Sequence, residues 1–373
     1  MLKKLLIKKL FSTNTKLKLA RAAAFQNIPV YVQFYITARC NLTCEQCNII
    51  YSNSDCREVT IDEVKQIADN LAEIGVAIVL LTGGEPFIRK DIHEIIYAFE
   101  SRGIHVRMQT NGLASEEMIQ KAIEAGGRDI SISLDSLVSS KQDKINGGYN
   151  KSWHKALETI SYFTKYLPKE KSFASLGCVM QPNNIDDIEN VIKFGSSIGW
   201  YTSLVPAHVT EYILPRGFRT FDKNLLFKDS EYLVVKQKIE RVRKMRLEGY
   251  LLYDSDQYLD DILRFVMNSP TQWRQRNKGI CDSPNLYFAL LPNGDFAPCC
   301  DHRLEKSYPA YSKEFPKIFR STLFRKEVFE VTSKCEGCMY GSYPEITISM
   351  RYNSAKIQRI ATFLTSPPPK PWP

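Results

Sequence analysis

The polar and apolar positions of this chain fall into two alternating periods. Val30–Thr37 (VYVQFYIT) is rich in β-branched and aromatic residues and reads as a strand. A helical pattern follows from Thr60, where Glu63 completes a capping box, and Gly75 ends it. Val76–Leu81 is apolar throughout, as expected of a strand buried in a parallel sheet. The same rhythm continues with a helix over Asp91–Ser101, a strand over Ile104–Gln109, a helix over Glu116–Ala125 and a strand over Asp129–Leu134. It closes with a helix over Ser152–Tyr166, a strand over Phe173–Met180, a helix over Ile185–Ile198 and a strand over Tyr201–Pro206. Six strand–helix alternations predict an α/β fold with a parallel sheet, helices outside it, and a site at the C-terminal ends of the strands.

Outside that block the pattern changes. Glu231–Glu248 and Asp254–Met267 read as charged helices that bridge to the last part of the chain. From Ile280 short strands return, and Leu286–Leu291 before Pro292-Asn293-Gly294-Asp295 predicts a hairpin. The chain ends in Ser366-Pro367-Pro368-Pro369-Lys370-Pro371, which predicts an extended tail. At the other end, residues 1–26 read as one helix, with Leu2, Leu5, Leu6 and Leu10 on a rough apolar stripe flanked by Lys3, Lys4, Lys8 and Lys9. Either it packs on the folded body or it lies on an anionic membrane surface.

Composition narrows the class. An apolar fraction of 44% supports a sizeable core. No apolar run is long enough to cross a membrane, and Lys8 and Lys9 break any signal-peptide core, so a cytoplasmic protein is expected. Ten cysteines, several in CxxC pairs, then point to metal or redox chemistry. Residues 1–44 hold eight Lys or Arg and no acid, while the remainder holds 42 basic against 41 acidic residues. A nucleic-acid enzyme spreads basic residues over a working face, so no nucleic-acid partner is expected.

The chemistry concentrates at two places. Cys40, Cys44 and Cys47 follow the first strand with three and then two residues between them. Three thiolates can clamp one iron–sulfur cluster and leave one iron open to a ligand, although a zinc knuckle also fits. Gly83-Gly84-Glu85-Pro86 follows the second strand, where glycines let backbone approach a ligand and the carboxylate can meet an ammonium. The second place begins at Cys281, continues through Gly294 to Cys299, and ends in the pair Cys335 and Cys338. Four thiolates suit a fully ligated cluster or a zinc ribbon.

The first spacing, with Gly83–Pro86 behind it, resembles the radical S-adenosylmethionine (radical SAM) superfamily. The resemblance implies a [4Fe-4S] cluster on Cys40, Cys44 and Cys47, with S-adenosylmethionine on its open iron. It also implies that Gly83, Gly84, Glu85 and Pro86 hold the methionyl amine and that Ser133 faces the ribose. Asn111 is a ligand or a turn residue, and Val179–Asn184 lies near adenine. Two departures stand out: Gln46 replaces the frequent aromatic before the third cysteine, and Ile145-Asn146-Gly147-Gly148 replaces an Arg-Gly loop. The C-terminal layout resembles a SPASM or twitch domain, implying an auxiliary [4Fe-4S] cluster on Cys281, Cys299, Cys335 and Cys338, with Cys300 as the alternative to Cys299. Cys56 and Cys178 have no assigned role.

The implied fold is a partial (β/α)6 TIM-like barrel followed by a small α+β cluster domain. The expected divisions are a basic helix (1–29), the radical SAM core (30–215), a helical bridge (216–275), the auxiliary domain (276–345) and a tail (346–373). The implied reaction is reductive cleavage of S-adenosylmethionine and hydrogen abstraction from a peptide or a small molecule such as a sugar. The implied electron donor is a flavodoxin or ferredoxin. A non-catalytic iron–sulfur or zinc-binding protein is the alternative class.

Overall fold

The computed structural model describes residues 10–47, 57–208, 223–275, 281–335, 337–365 and 367. Strands β1 (Tyr31–Thr37), β2 (Ile78–Gly83), β3 (His105–Thr110), β4 (Asp129–Ser133), β5 (Phe173–Met180) and β6 (Tyr201–Pro206) pair in chain order. Each runs parallel to the next, as a partial barrel requires. The strand alternation separates two environments. Phe34, Leu81, Met108, Ile132 and Leu176 point outward into the main apolar core. Gln33, Arg107, Gln109, Ser131 and Ser203 point into a cavity of about 620 Å³ inside the barrel.

The layer outside the sheet is built by α2 (Ile61–Ile74), α3 (Ile92–Glu100), α4 (Glu116–Glu124), α5 (Ser139–Ile145), α6 (Ser152–Tyr166) and α7 (Ile188–Ser197). The capping box of α2 forms as expected: Thr60 accepts from Glu63 N–H and the Glu63 carboxylate accepts from Thr60 N–H. Helix α5 was not expected, because seven residues with only Gln142 and Ile145 buried carry no periodic apolar signal. The bridge holds α8 (Tyr232–Leu247), α9 (Asp256–Val266) and the short α10 (Gln272–Gln275). Between α8 and α9 the chain closes the free edge of β6. Thr202 N–H donates to Leu251 O, Tyr253 N–H to Thr202 O, and Leu204 N–H to the Asp254 carboxylate.

The predicted hairpin forms as β7 (Tyr287–Leu290) and β8 (Phe296–Ala297), but it is not separate from the barrel. β7 pairs parallel with β1, so one eight-stranded sheet runs β6-β5-β4-β3-β2-β1-β7-β8. All four residues of β7 are buried, as in a strand covered on both faces. After α11 (Phe315–Arg320) and α12 (Thr322–Thr332) come α13 (Ser342–Arg351) and α14 (Asn353–Thr365), which make most of the 346–373 division helical; the proline run predicted to be extended lies, Pro367 apart, outside the described residues. At the N-terminus, the helix found in the described part of the expected 1–26 span starts at Thr13, capped by Ser12. This is α1 (Thr13–Phe25); Leu2, Leu5 and Leu6 lie outside the described residues.

Candidate functional site

The cysteine loop leaves the C-terminal end of β1 and is laced to the turn after β2. Gly84 N–H donates to Thr37 O and Glu85 N–H to Arg39 O, each at 2.8 Å. Thr37 Oγ1 donates to Glu58, whose carboxylate also takes the Arg39 guanidinium. Burial raises Glu58 and these partners lower it more, so its carboxyl titrates below the usual range. Buried Arg89 ties the same corner from behind, donating to Ile36 O and Val59 O while pairing with Asp91. The contacts come too close for any other side chain at the turn. A Cβ on Gly83 would lie 2.2 Å from Thr37 O, and one on Gly84 would lie 2.1 Å from Arg39 O. Gly84→Ala should therefore cost about 1–3 kcal/mol in chemical denaturation through overpacking against rigid backbone. An unchanged unfolding midpoint would show that the two loops can part.

Glu85 sits differently from the expectation of a carboxylate offered to an ammonium. It is buried and accepts three hydrogen bonds: Phe87 N–H at 3.0 Å, Thr110 Oγ1 at 2.8 Å and Asn111 N–H at 2.7 Å. It thus clamps the end of β3 to the turn after β2, while Pro86 opens a short 3₁₀ turn, Pro86–Ile88. Burial, opposed by those three donors, pushes Glu85 up to about 7. A carboxyl raised on folding adds stability below its unfolded value of 4.5 and loses it as pH rises through about 7. Relative to a Glu85→Gln chain, the wild type should lose about 3 kcal/mol between those limits, at about 1.36 kcal/mol per unit. A gap that stays constant across that window in urea titrations would contradict burial as the governing cause.

Asn111 reaches the cysteine loop. Its Nδ2 donates to Asn41 Oδ1 at 2.8 Å and approaches Cys40 Sγ at 3.7 Å. Leu42 N–H also donates to Cys40 Sγ. Cys40 is pushed up to about 11 by burial, with the Cys47 charge adding to it. Burial and the charges of Cys47 and Cys40 raise Cys44 further. The three thiols are therefore mutual neighbours. The Gln46 departure has a local partner: its Nε2 donates to Asp135 Oδ2 at 3.1 Å, and Val179 N–H donates to Asp135 Oδ1 at 2.6 Å. Burial, opposed by these two donors, pushes Asp135 up to about 7. The Ile145–Gly148 segment also meets the cysteine loop. Ile145 O accepts from Glu45 N–H, and a Cβ on Gly147 would strike Thr43. Ser133, at the end of β4, faces the barrel cavity. Gln46 Oε1 and both amide atoms of Gln181, after β5, are buried without partners among the described residues.

The second thiol group converges by a different route. Burial pushes Cys281 up to about 12, with the charges of Cys299 and Cys335 adding to it. Cys338 rises for the same reason, with Cys335 and Cys299 as its charged neighbours. Cys300 donates its S–H toward Cys299, which lowers Cys299 and raises Cys300. Cys300 is buried in an apolar cluster with Ala22, Tyr35 and Tyr343. The Cys338 turn is fastened to the bridge, with Trp273 Nε1 donating to Cys338 O and Tyr258 Oη to Met339 O. His208, just beyond β6, accepts from Met339 N–H at 2.7 Å and stacks on Tyr340 at 4.0 Å. Burial lowers His208 to about 4, so it stays neutral, with Nδ1 directed at Pro206 O. Among the described residues, no three His, Cys, Asp or Glu side chains gather closely enough to hold one metal ion.

Sequence reasoning missed the residues that fix these loops: Glu58, Arg89, Asp135 and His208. Only Asp135 stood next to a recognised segment. The others act across distances along the chain that no local pattern records. Cys178, in β5, is buried in the apolar core, and Cys56 lies outside the described residues.

A parallel barrel with its distinctive loops at the strand C-termini is an enzyme architecture. Residues 34–195, from β1 to α7, match the Radical SAM superfamily. That stretch, which holds the cysteine loop and the Gly83–Pro86 turn, is thus similar to the core of the superfamily. The AdoMet-dependent heme synthase of Methanosarcina barkeri is 29% identical over 196 residues, which are 52% of this chain and 53% of that one. The PqqA peptide cyclase of Bradyrhizobium diazoefficiens is 30% identical over 168 residues, 44% of this chain and 43% of that one. The chain thus spans about half the length of these curated relatives. SuiB of Streptococcus suis shares the fold at TM-score 0.61 and 16% identity, over 91% of this chain and 79% of that one. SuiB has been solved with S-adenosylmethionine bound and, separately, with its precursor peptide SuiA bound. Among the described residues no helix is long and apolar enough to cross a membrane.

Proposed function

We propose that this chain is a cytoplasmic peptide-modifying enzyme. In this reading Cys40, Cys44 and Cys47 hold a [4Fe-4S] cluster, and Cys281, Cys299, Cys335 and Cys338 hold an auxiliary one in a SPASM- or twitch-like region. When bound, the first cluster supplies the electron that splits S-adenosylmethionine and gives a 5′-deoxyadenosyl radical. The observation that carries the reading is the lacing of the cysteine loop to Gly83–Glu85 and Asn111 at the strand C-termini. It supports a preformed rim on which backbone of Gly83–Pro86 meets the methionyl amine and Ser133 faces the ribose.

The donor sets suit iron–sulfur clusters: within each group the thiols lie near enough to raise one another, as the ligands of one cluster must. Cys299 rather than Cys300 is the fourth ligand in this reading, because Cys300 is turned into the apolar cluster with Tyr35 and Tyr343.

Peptide as the substrate class is supported by SuiB, whose likeness extends over 91% of this chain, beyond the barrel. The inward polar residues Gln33, Gln109, Ser131 and Ser203 offer donors and acceptors to a peptide backbone. An electron donor of the flavodoxin or ferredoxin kind completes the reaction. The test is anaerobic reconstitution with iron and sulfide, reduction, and incubation with S-adenosylmethionine and short peptides encoded beside the gene. The expected result is 5′-deoxyadenosine release stimulated by one peptide, with a mass change in that peptide. Stimulation by a sugar or nucleotide and by no peptide would overturn the substrate class. No release above iron-free protein would overturn the reaction.

A further inference from the structure

Helices α1 and α14 lie antiparallel across the end of the barrel opposite the cysteine loop. Lys18 Nζ donates to Val76 O, just before β2. Phe11 touches His105 at the start of β3, and Phe363 touches Phe173 at the start of β5. Phe11, just before α1, packs against Phe363 of α14, and Gln26, just after α1, donates its Nε2 to Met350 O near the end of α13. Between α1 and α14 the barrel cavity opens, walled by Leu19, Ala23, Ile360 and Leu364.

The outer surface of this floor has an unusual composition. Neither helix contains an Asp or Glu; Lys16 and Arg21 of α1 are exposed and Lys18 and Lys356 half-buried, while Arg359 turns inward to pair with buried Glu345. Large apolar side chains stand in the open beside them: Leu17 at 60% exposure, Phe25 at 67%, Ile357 at 67%, Ile360 at 51% and Leu364 at 41%. Ile357, Ile360 and Leu364 follow helical spacing and form one stripe of α14. Exposed apolar residues beside exposed cations match an anionic lipid surface, where acyl chains take the apolar side chains and headgroups take the cations.

We propose that the barrel floor, formed by α1 together with α14, is a docking face for an anionic membrane surface. α14 carries half of the contact. Docking there leaves the opposite end, with its cysteine loop, facing the aqueous phase.

The experiment uses the full chain and needs no turnover. It is sedimented with vesicles of phosphatidylcholine alone and with vesicles containing phosphatidylglycerol. The expected result is binding only to the anionic vesicles, weakening as salt rises. Ile357→Asp with Ile360→Asp should lower the bound fraction about tenfold, with circular dichroism and melting unchanged. As a second measurement, Ile357→Trp should gain a fluorescence component quenched by phosphatidylglycerol with brominated acyl chains. Undiminished binding by the double variant would overturn the proposal, since α14 would then take no part. So would equal binding to both vesicle types, no binding to either, or an unquenched tryptophan. A self-association lost in the double variant, without lipid binding, would also overturn it by showing that a second copy covers the face.

Discussion

Cys44→Ala should bring 5′-deoxyadenosine release down to the level of iron-free protein. Three cysteines provide the protein ligands of the proposed catalytic cluster, so losing one leaves too few for stable binding. The nearby amides of Asn41, Gln46, Asn111 and Asn146 are poor substitutes for a thiolate, and the Glu85 and Asp135 carboxylates are already held by backbone and side-chain donors. Cys178→Ala is the matched comparison. That thiol belongs to β5, is buried in the apolar core and has its hydrogen bond to the Asp135 carbonyl, at 3.9 Å, so its loss should keep release close to wild type. Release is read by chromatography after anaerobic reconstitution and reduction. Equal release from the Cys44 variant and the wild type would remove this loop from the reaction. Equal loss in both variants would show that the effect comes from folding, not from ligation.

The parts of this architecture that were legible in the sequence are those whose cause is local. Helix α6 and strands β5 and β6 fall on the expected residues because their outward positions are apolar at the right period. The cysteine spacing and the Gly83–Pro86 turn are likewise local, and both arrive at strand C-termini. What was not legible depends on contacts between distant segments. β7 joins β1 through the register Tyr31↔Tyr287 to Phe34↔Leu290, and no hairpin signal records a partner so far along the chain. Glu85 read as a carboxylate that can meet an ammonium, and its clamp is not legible because it forms only once β3 lies beside β2 and brings Thr110 and Asn111 to it. α14 was masked by the proline run that follows it, although Ala355, Lys356, Gln358 and Arg359 are good helix formers.

A chain in which Cys40, Cys44 and Cys47 are all replaced by Ala should still bind about four irons after anaerobic reconstitution, because four separate thiolates remain. The structure gives those ligands their own support. Trp273 and Tyr258 hold the turn of Cys338, Arg303 donates to Cys299 O and Cys300 O, and His208 anchors Met339. None of these contacts passes through the first cysteine loop, so its loss should leave them standing. A fully ligated cluster offers no open iron, so its spectrum should not change when S-adenosylmethionine is added, whereas the wild-type spectrum should. Cys300→Ala on the same background should keep the iron, and Cys299→Ala should lose it, because Cys299 is the thiol charge-coupled to Cys281. If the triple variant takes up about one zinc and no iron, the C-terminal site is a zinc ribbon. The chain would then carry out its reaction with the first cluster alone. The reverse pattern, iron retained in Cys299→Ala and lost in Cys300→Ala, would move the fourth ligand into the apolar cluster beside Tyr35 and Tyr343.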